Sequence, residues 1–236
     1  MKILVLLIYI NVIQGLFAAM TRAKSGTHFQ NAARWELDPR VRAKLAKTEF
    51  PELHDIAVKV GAAGSNNIFL DALGDCYDIS GSFFQFNRSR VILGLEDIFL
   101  ITGLPVVGKC AMKEKHENYD ELAFNLGISE EPKIKEIMLH DLKYLMHVNG
   151  KVEDRHVIGF VMYMIGTMIY PRTSFTVSTR FLQYLGKIEE ICEYAWGAAT
   201  LAHMCLQKLK VKDNDKEFSL AGLSIILPVS YLFYIL

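Results

Sequence analysis

The sequence lacks an excess of charge of either sign. Its 26 Lys and Arg residues are matched by 26 Asp and Glu residues, so the formal net charge at pH 7 is zero. Such a chain has no overall field that would draw it to nucleic acid or to an anionic membrane surface. Basic residues do gather between Thr21 and Lys47, where a solvated flank is the favoured interpretation and a nucleic-acid arm is the alternative. The sequence therefore carries no strong nucleic-acid signal.

Cysteine is also scarce. The four cysteines lie far apart in the chain, without the paired close spacing of zinc sites or of disulfide-rich domains: Cys76, Cys110, Cys192 and Cys205. This pattern indicates free thiols, which are typical of a reducing compartment.

Arrangements typical of catalysis are missing as well. No serine lies in a Gly-x-Ser-x-Gly elbow, no dinucleotide fingerprint occurs, and Gly61–Ser65 lacks the lysine of a phosphate loop. His140 and His147 are seven residues apart rather than four. Glu189 and Glu190 are adjacent, so on a helix they point about 100° apart. We therefore assign no catalytic residue, no cofactor and no metal.

What the sequence does contain is apolar surface with helical spacing. Half of the residues are hydrophobic, which predicts a substantial core. The fold class that we predict is mainly α, a single helical domain with a few short extended segments, of which Ser82–Phe86 is one. The predicted helices are a helix from Phe50 to Gly61, Ile68–Leu73, Gly94–Pro105, a short helix within Lys109–Pro132, a helix from Ile134 that ends near Asn149-Gly150, Val157–Tyr170, a short helix at Phe181–Leu185, and Lys187–Val211.

The two ends of the chain are apolar and leave a second interpretation open. Met1-Lys2 followed by Ile3–Ile13 resembles the start of a signal peptide, although the cleavage region is poor. Residues 218–236 carry no charge, so they suit either a core helix or a membrane anchor. We divide the chain into an apolar or signal-like segment (1–19), a basic flank (20–49) and a helical region (50–236).

Glu193–Ala202 is the most distinctive stretch, because small residues surround one tryptophan, Trp196. Small residues allow a neighbouring helix to approach closely, and Gly197 costs a helix about 1 kcal/mol relative to Ala. The favoured interpretation of Trp196 is a core anchor. A tryptophan that stacks on a ligand or binds a partner is the alternative.

Two blocks of the sequence resemble the plant mobile domain family, which includes the MAIN-like group and long-form homologues of a plant serine/threonine phosphatase. The first block contains a Gly-Leu-Pro-x-x-Gly pattern, and the second contains Tyr-Ala-Trp-Gly-Ala-Ala. The order and approximate spacing of the two blocks match the family pattern from Ile68 to Leu227. The chain is interpreted as a shortened copy of that pattern. The segments that carry the resemblance are Phe84–Phe86, Leu95–Ile98, Thr102–Gly108, Tyr163–Pro171, Arg180–Leu182 and Tyr194–Ala202.

The resemblance implies a transposon-derived nuclear protein with a role in gene silencing, genome integrity or meristem maintenance. It would act through protein partners whose identity is unknown, chromatin-associated ones included. Some family members carry an aminotransferase-like label, but the sequence assembles no pyridoxal phosphate site, so we do not predict an enzyme. A secretory or membrane-associated protein is the alternative. The signature residues are interpreted as structural: Gly103, Leu104, Pro105, Gly108, Gly166, Pro171, Tyr194, Trp196 and Gly197.

Overall fold

The computed structural model describes residues 37–63, 76–78, 83–86, 88–111, 119–130, 134–145, 150, 152–172 and 174–210. This part of the chain is mostly helical, which confirms the predicted mainly α class. Its helices are α1 (Pro39–Lys44), α2 (Phe50–Ala63), α3 (Leu95–Thr102), α4 (Tyr119–Asn125), α5 (Leu139–Leu145), α6 (Asp154–Met164) and α7 (Trp196–Lys210). A π-helical turn follows α6 at Ile165–Ile169, and two 3-10 helices span Thr179–Tyr184 and Ile188–Glu193.

Two small antiparallel sheets accompany the helices. The first contains β1 (Tyr77–Asp78), β2 (Phe83–Phe86) and β3 (Ser89–Val91) in that order. The second pairs β4 (Glu136–Met138) with β5 (Thr176–Ser178). The extended segment predicted at Ser82–Phe86 is thus present as β2.

Helix α6 lies at the centre of the core. Every side chain from His156 to Ile169 is buried, because α1, α2 and α5 pack around α6 and α7 packs on the π-helical turn. This matches the apolar run predicted to be a buried helix at Val157–Tyr170. A helix that is apolar on all sides is stable only where other elements cover it completely.

The basic region contributes to this core through α1. Its Val41 is buried, while Arg42 pairs with Asp55 of α2 at 2.5 Å and Lys44 pairs with Asp154 of α6 at 2.8 Å. These basic side chains therefore link α1 to its neighbours.

The prediction of one helix over Lys187–Val211 is wrong. Residues Ile188–Glu193 form a 3-10 helix, Tyr194 is extended (φ −93°, ψ 141°), and α7 begins only at Trp196. The break arises because Lys109 pairs with this segment: its N–H donates to the Glu193 carbonyl at 2.7 Å, and its carbonyl accepts from the Ala195 N–H at 2.9 Å. An α-helix would use those groups internally.

The helix predicted from Ile134 to near Asn149-Gly150 is also only partly correct, because its first part is strand β4. Ile137 and Val177 are opposite each other in the β4–β5 pair, and the helix, α5, starts at Leu139. The side chain of Ile137 is buried while that of Met138 is half exposed. Alternation of this kind fits a strand, and the partner strand that stabilises it lies 40 residues away along the chain.

The helix that starts at Phe50 does not stop at Gly61, because α2 continues to Ala63. A glycine inside a helix costs only about 1 kcal/mol, so it does not by itself end one. Other predictions fall outside the described residues: the signal-like start at Met1–Ile13, the helix at Ile68–Leu73 and the uncharged stretch 218–236. Within the described ranges, no helix combines the length and apolar character needed to cross a bilayer.

Candidate functional site

The two sequence blocks meet in space at the start of α7. We call this region the signature junction and define it as residues 103–109 together with residues 193–197. Its first half is the loop that follows α3, and its second half joins the last 3-10 helix to α7. The described part of the chain thus brings together seven of the nine signature residues.

Local chemistry ends α3 and sets the direction of the loop. The Asp97 carboxylate accepts the Gly94 N–H at 2.8 Å at the start of the helix, which satisfies one of the unpaired N–H groups there. At the other end Gly103 has φ +74°, and its N–H donates to the Phe99 carbonyl at 2.9 Å. This is the left-handed glycine cap that the Gly-Leu-Pro pattern predicts. The Thr102 hydroxyl, which donates to the Ile98 carbonyl, also accepts the Leu104 N–H at 3.1 Å.

Backbone contacts hold the loop against α7. The Gly197 N–H donates to the Pro105 carbonyl at 2.7 Å. A Cβ on Gly197 would lie 2.8 Å from the Leu104 carbonyl oxygen and 2.9 Å from Val106 Cγ1. Only glycine therefore allows the first turn of α7 to approach the loop this closely.

Gly108 makes a second close approach. Its φ is +148°, and a Cβ there would lie 2.4 Å from the Glu193 carbonyl oxygen. The next residue, Lys109, forms an isolated parallel bridge with Tyr194. Gly108 therefore allows the chain to reach Tyr194 at a distance that a side chain would prevent.

Trp196 fills the space beneath these contacts. Its side chain is 1% exposed, and its indole N–H donates to the Ile191 carbonyl at 2.8 Å. The rings of Phe50 and Tyr184 meet the indole edge to face, with centroid distances of 5.7 and 5.9 Å. Such arrangements suit aromatic quadrupoles. The indole is thus enclosed by the chain's own aromatic rings, with its polar atom satisfied.

Charged side chains cover the outer edge of the signature junction. Lys109 Nζ lies 2.5 Å from Glu193 Oε2 and 5.7 Å from the centroid of the Tyr194 ring. The hydrogen bond with Glu193 raises the pKa of Lys109 above its ordinary value. Lys187 pairs with Glu190 at 2.7 Å, and that hydrogen bond lowers the pKa of Glu190. Both lysines are therefore cationic at neutral pH.

The other two signature residues lie in or after the π-helical turn. A Cβ on Gly166 would lie 2.6 Å from Leu139 Cδ2 and 3.0 Å from Val177 Cβ, so glycine allows the turn to pack against α5 and β5. Pro171 is buried just beyond the turn. Tyr170, between them, has a hydroxyl that is buried without a hydrogen-bond partner among the described residues, and burial raises its pKa. These positions do not join the signature junction.

Sequence reasoning missed several residues in or beside the signature junction. Local spacing places Lys109 in a surface loop, and it holds no signal for the pairing with Tyr194, which joins positions far apart in sequence. Phe50 and Tyr184 approach Trp196 from separate elements. Thr102 lies within the first sequence block, and its capping role could have been predicted, because a threonine before a Gly-Leu-Pro helix end is well placed to bond to the freed backbone groups.

The histidines and acidic residues that the structure describes do not converge into a metal site. Among the residues that the structure describes, no group of three or more His, Cys, Asp and Glu side chains is placed to hold a metal ion. His140 is exposed beside Asp141, with 3.1 Å between Nδ1 and the carboxylate. His156 is buried and accepts the Glu153 N–H at 2.9 Å, at the start of α6.

Comparison with known proteins identifies relatives of this chain. The Arabidopsis thaliana protein MAINTENANCE OF MERISTEMS is 28% identical over 163 residues, covering 63% of this chain and 33% of the relative. Protein MAIN-LIKE 1 from the same plant is 24% identical over 166 residues, covering 64% of this chain and 32% of the relative. The chain thus spans about a third of the length of these curated relatives. No solved structure matches it.

A family model, described as a domain of unknown function (DUF8566), matches residues 42–227. This interval includes both halves of the signature junction. The chain therefore belongs to the DUF8566 family, and its named relatives are MAIN-like proteins of the plant mobile domain family.

Proposed function

We propose that this protein is a non-enzymatic interaction module that acts in the nucleus through protein partners. The process in which it acts would be gene silencing, genome integrity or meristem maintenance. The name of one relative, MAINTENANCE OF MERISTEMS, supports the last of these. Because the chain spans about a third of its relatives, the activities and partners of those whole proteins extend to it only as part of this proposal.

The observation that carries the proposal is that the Tyr-Ala-Trp-Gly block packs inside the fold. The Trp196 indole is sealed by neighbouring rings, its N–H is bonded to a backbone carbonyl, and Gly197 packs directly on the Pro105 loop. Catalysis requires a group that reaches a reacting atom. The atoms that distinguish this block are instead occupied in packing. This favours a structural role for the block, in a fold that presents a binding surface to protein partners.

The first experiment asks where the full chain resides. A fluorescent fusion of the intact protein in plant cells is expected to label the nucleus. The secretory alternative predicts N-glycosylation at Asn87, within the Asn87-Arg88-Ser89 sequon. A mobility shift that a glycosidase removes, and that Asn87→Gln abolishes, would refute the nuclear assignment.

The second experiment asks whether the fold captures partners. The tagged full chain is expected to retain specific proteins from plant nuclear extract. A Gly197→Leu variant, which disrupts the signature junction, is expected to lose them. Gly186→Ala is expected to keep them, because a Cβ on Gly186 would have no atom within 4 Å.

Absorbance of bound pyridoxal phosphate in the purified protein would overturn the non-enzymatic assignment.

A further inference from the structure

Strand β3 lies at one edge of the three-stranded sheet in the described part of the chain, because the strand order is β1-β2-β3. Within this strand Val91 is buried and Arg90 is exposed, and the residue that follows it, Ile92, is 65% exposed. This alternation places Val91 on the face toward the core and Arg90 on the opposite face. We define the β3 edge as the backbone of Arg90 together with the side chains of Arg88, Arg90 and Ile92.

The pairing of the sheet fixes the direction of the Arg90 backbone groups. The Gln85 N–H donates to the Cys76 carbonyl at 2.7 Å, on the β1 side of β2, and Arg90 lies directly opposite Gln85 in the β2–β3 pair. In an antiparallel ladder, both backbone groups of one residue point to the same neighbouring strand. Since those of Gln85 point to β1, the N–H and C=O groups of Arg90 point away from β2. An extended peptide can pair with backbone groups in this position by strand addition.

The side chains beside these groups are cationic. The Arg90 guanidinium lies over the Phe83 ring, 4.7 Å from its centroid, and its Nε donates to the Gln85 side-chain oxygen at 3.3 Å. Arg88 is exposed in the turn that leads into β3. Among the residues that the structure describes, neither arginine forms an ion pair with a carboxylate. Guanidinium groups match carboxylates in charge and in geometry, so the β3 edge is suited to an acidic ligand.

These charges also decide which kind of chain can pair with β3. A second copy that paired antiparallel through its own β3 would bring the arginines of both copies close together, and like charges opposite each other across strands are destabilising. Charged residues on a short edge strand are a common protection against such self-association. A segment that carries carboxylates would be attracted by the same groups, and an apolar side chain of that segment would cover Ile92.

We propose that the β3 edge binds an extended segment of a partner protein, and that this segment carries acidic and apolar residues. The segment adds a strand beside β3, with its backbone bonded to Arg90, a carboxylate next to the arginines and an apolar side chain against Ile92. The inference rests on the proposed function, because it names the surface and the class of partner through which an interaction module would act.

Random peptides displayed on phage, selected on the purified full chain, are the first probe. Arg90 and Ile92 are two residues apart, so the enriched peptides are expected to carry an acidic and an apolar residue two positions apart. Synthetic versions are expected to bind Arg90→Gln at least about tenfold more weakly than wild type. Lys47→Gln removes an exposed cation elsewhere and is the matched control, which should bind as wild type does. No enrichment, or equal binding to Arg90→Gln and wild type, would overturn the proposal.

Backbone methylation of the selected peptide tests strand addition and leaves the protein unchanged. Successive N–H groups of an extended peptide point to opposite sides, so methyl groups on alternate nitrogens block one edge only. One alternate set is therefore expected to weaken binding at least about tenfold, and the other set to leave it within about twofold. Equal losses from both sets would show that the peptide does not bind as an added strand, and would overturn the proposal.

Other occupants and the proposed function are distinguished by two further measurements. A wild-type dimer in sedimentation velocity that Arg90→Gln converts to monomer would overturn the proposal in favour of a second copy. Retention of the same nuclear proteins by Arg90→Gln and by wild type would overturn it and leave the proposed function intact. A wild-type chain that retains no nuclear protein would count against the proposed function, whereas the peptide measurements use purified protein and decide the inference by themselves.

Discussion

The backbone N–H of Gly197 donates to the Pro105 carbonyl oxygen across 2.7 Å. This bond joins the first turn of α7 to the loop after α3, and so connects the two blocks of sequence that carry the family resemblance. The absence of a side chain at Gly197 makes the approach feasible, because the Leu104 carbonyl oxygen occupies the space that a Cβ would need.

Gly197→Ala is therefore expected to destabilise the protein. In a helix this change normally stabilises by about 1 kcal/mol, but here the new methyl group would lie 2.8 Å from a backbone oxygen. Such overpacking typically costs about 1–3 kcal/mol. Urea unfolding measures the change in free energy, and Gly186→Ala, where the methyl group meets open space, is the control. A Gly197→Ala protein as stable as the control would show that the loop and α7 are not in close contact.

Gly108→Ala tests the second close approach. Both Gly108 and Gly150 have positive φ, +148° and +98°, but only at Gly108 does a Cβ meet another atom, the Glu193 carbonyl oxygen at 2.4 Å. Gly150→Ala then measures the cost of a positive φ without a clash, about 1–2 kcal/mol. We expect Gly108→Ala to cost at least about 1 kcal/mol more, since a backbone clash cannot be relieved by a rotamer change. Equal losses of stability in Gly108→Ala and Gly150→Ala, measured by thermal and urea unfolding, would refute the bridge between Lys109 and Tyr194.

Local signals predicted the elements whose ends are chemically marked. The unit Gly94–Pro105 has an acidic first turn and a terminal glycine, and α3 forms within it with Gly103 as its left-handed cap. The apolar run Val157–Tyr170 was likewise recognisable, because only a buried helix accommodates so many apolar side chains. In both cases the determinants lie within a few residues of the element that they specify.

The errors arose where a distant segment decides the structure. Helical spacing continues from Lys187 through Tyr194, yet Tyr194 is extended because Lys109 bonds to its neighbours. Ile137 fits a helical stripe, but it lies in a strand because Val177 is opposite it. Tertiary context overrides such propensities routinely. The signature junction depends on pairings of this kind, so the identity of its glycines was visible in the sequence while their contacts were not.

Trp196→Ala is expected to cause a large loss of stability. The indole is 1% exposed, contacts Phe50 and Tyr184, and donates to the Ile191 carbonyl. Removing a buried tryptophan side chain costs about 3–5 kcal/mol, and Trp196→Phe should cost less because most of the ring contact is kept. Val107→Ala, at an 86% exposed position of the same junction, should lie within about 0.5 kcal/mol of wild type. An unchanged melting temperature for Trp196→Ala would instead indicate a binding role for the indole.

Glu49 links stability to pH. Burial raises the pKa of this carboxyl group, and the nearby Glu52 raises it further. Its carboxylate lies close to Gly103, with Oε2 3.5 Å from the position of a Cβ there. The pKa of Glu49 in the folded state is above the unfolded value of about 4.3. The contribution of Glu49 to the free energy of unfolding is therefore fully present below the unfolded pKa, and it is lost as the pH rises through the folded pKa.

Glu49→Gln removes this titration while keeping the shape of the side chain. We therefore expect the stability of the variant relative to wild type to increase as the pH is raised from about 4 to 7, as measured by urea unfolding at each pH. Glu52→Gln is the informative comparison, because it removes a charge that raises the pKa of Glu49. In this variant the loss of stability caused by Glu49 should occur at a lower pH than in wild type. A stability difference between Glu49→Gln and wild type that stays constant across this range would mean that the Glu49 carboxyl group titrates alike in the folded and unfolded states.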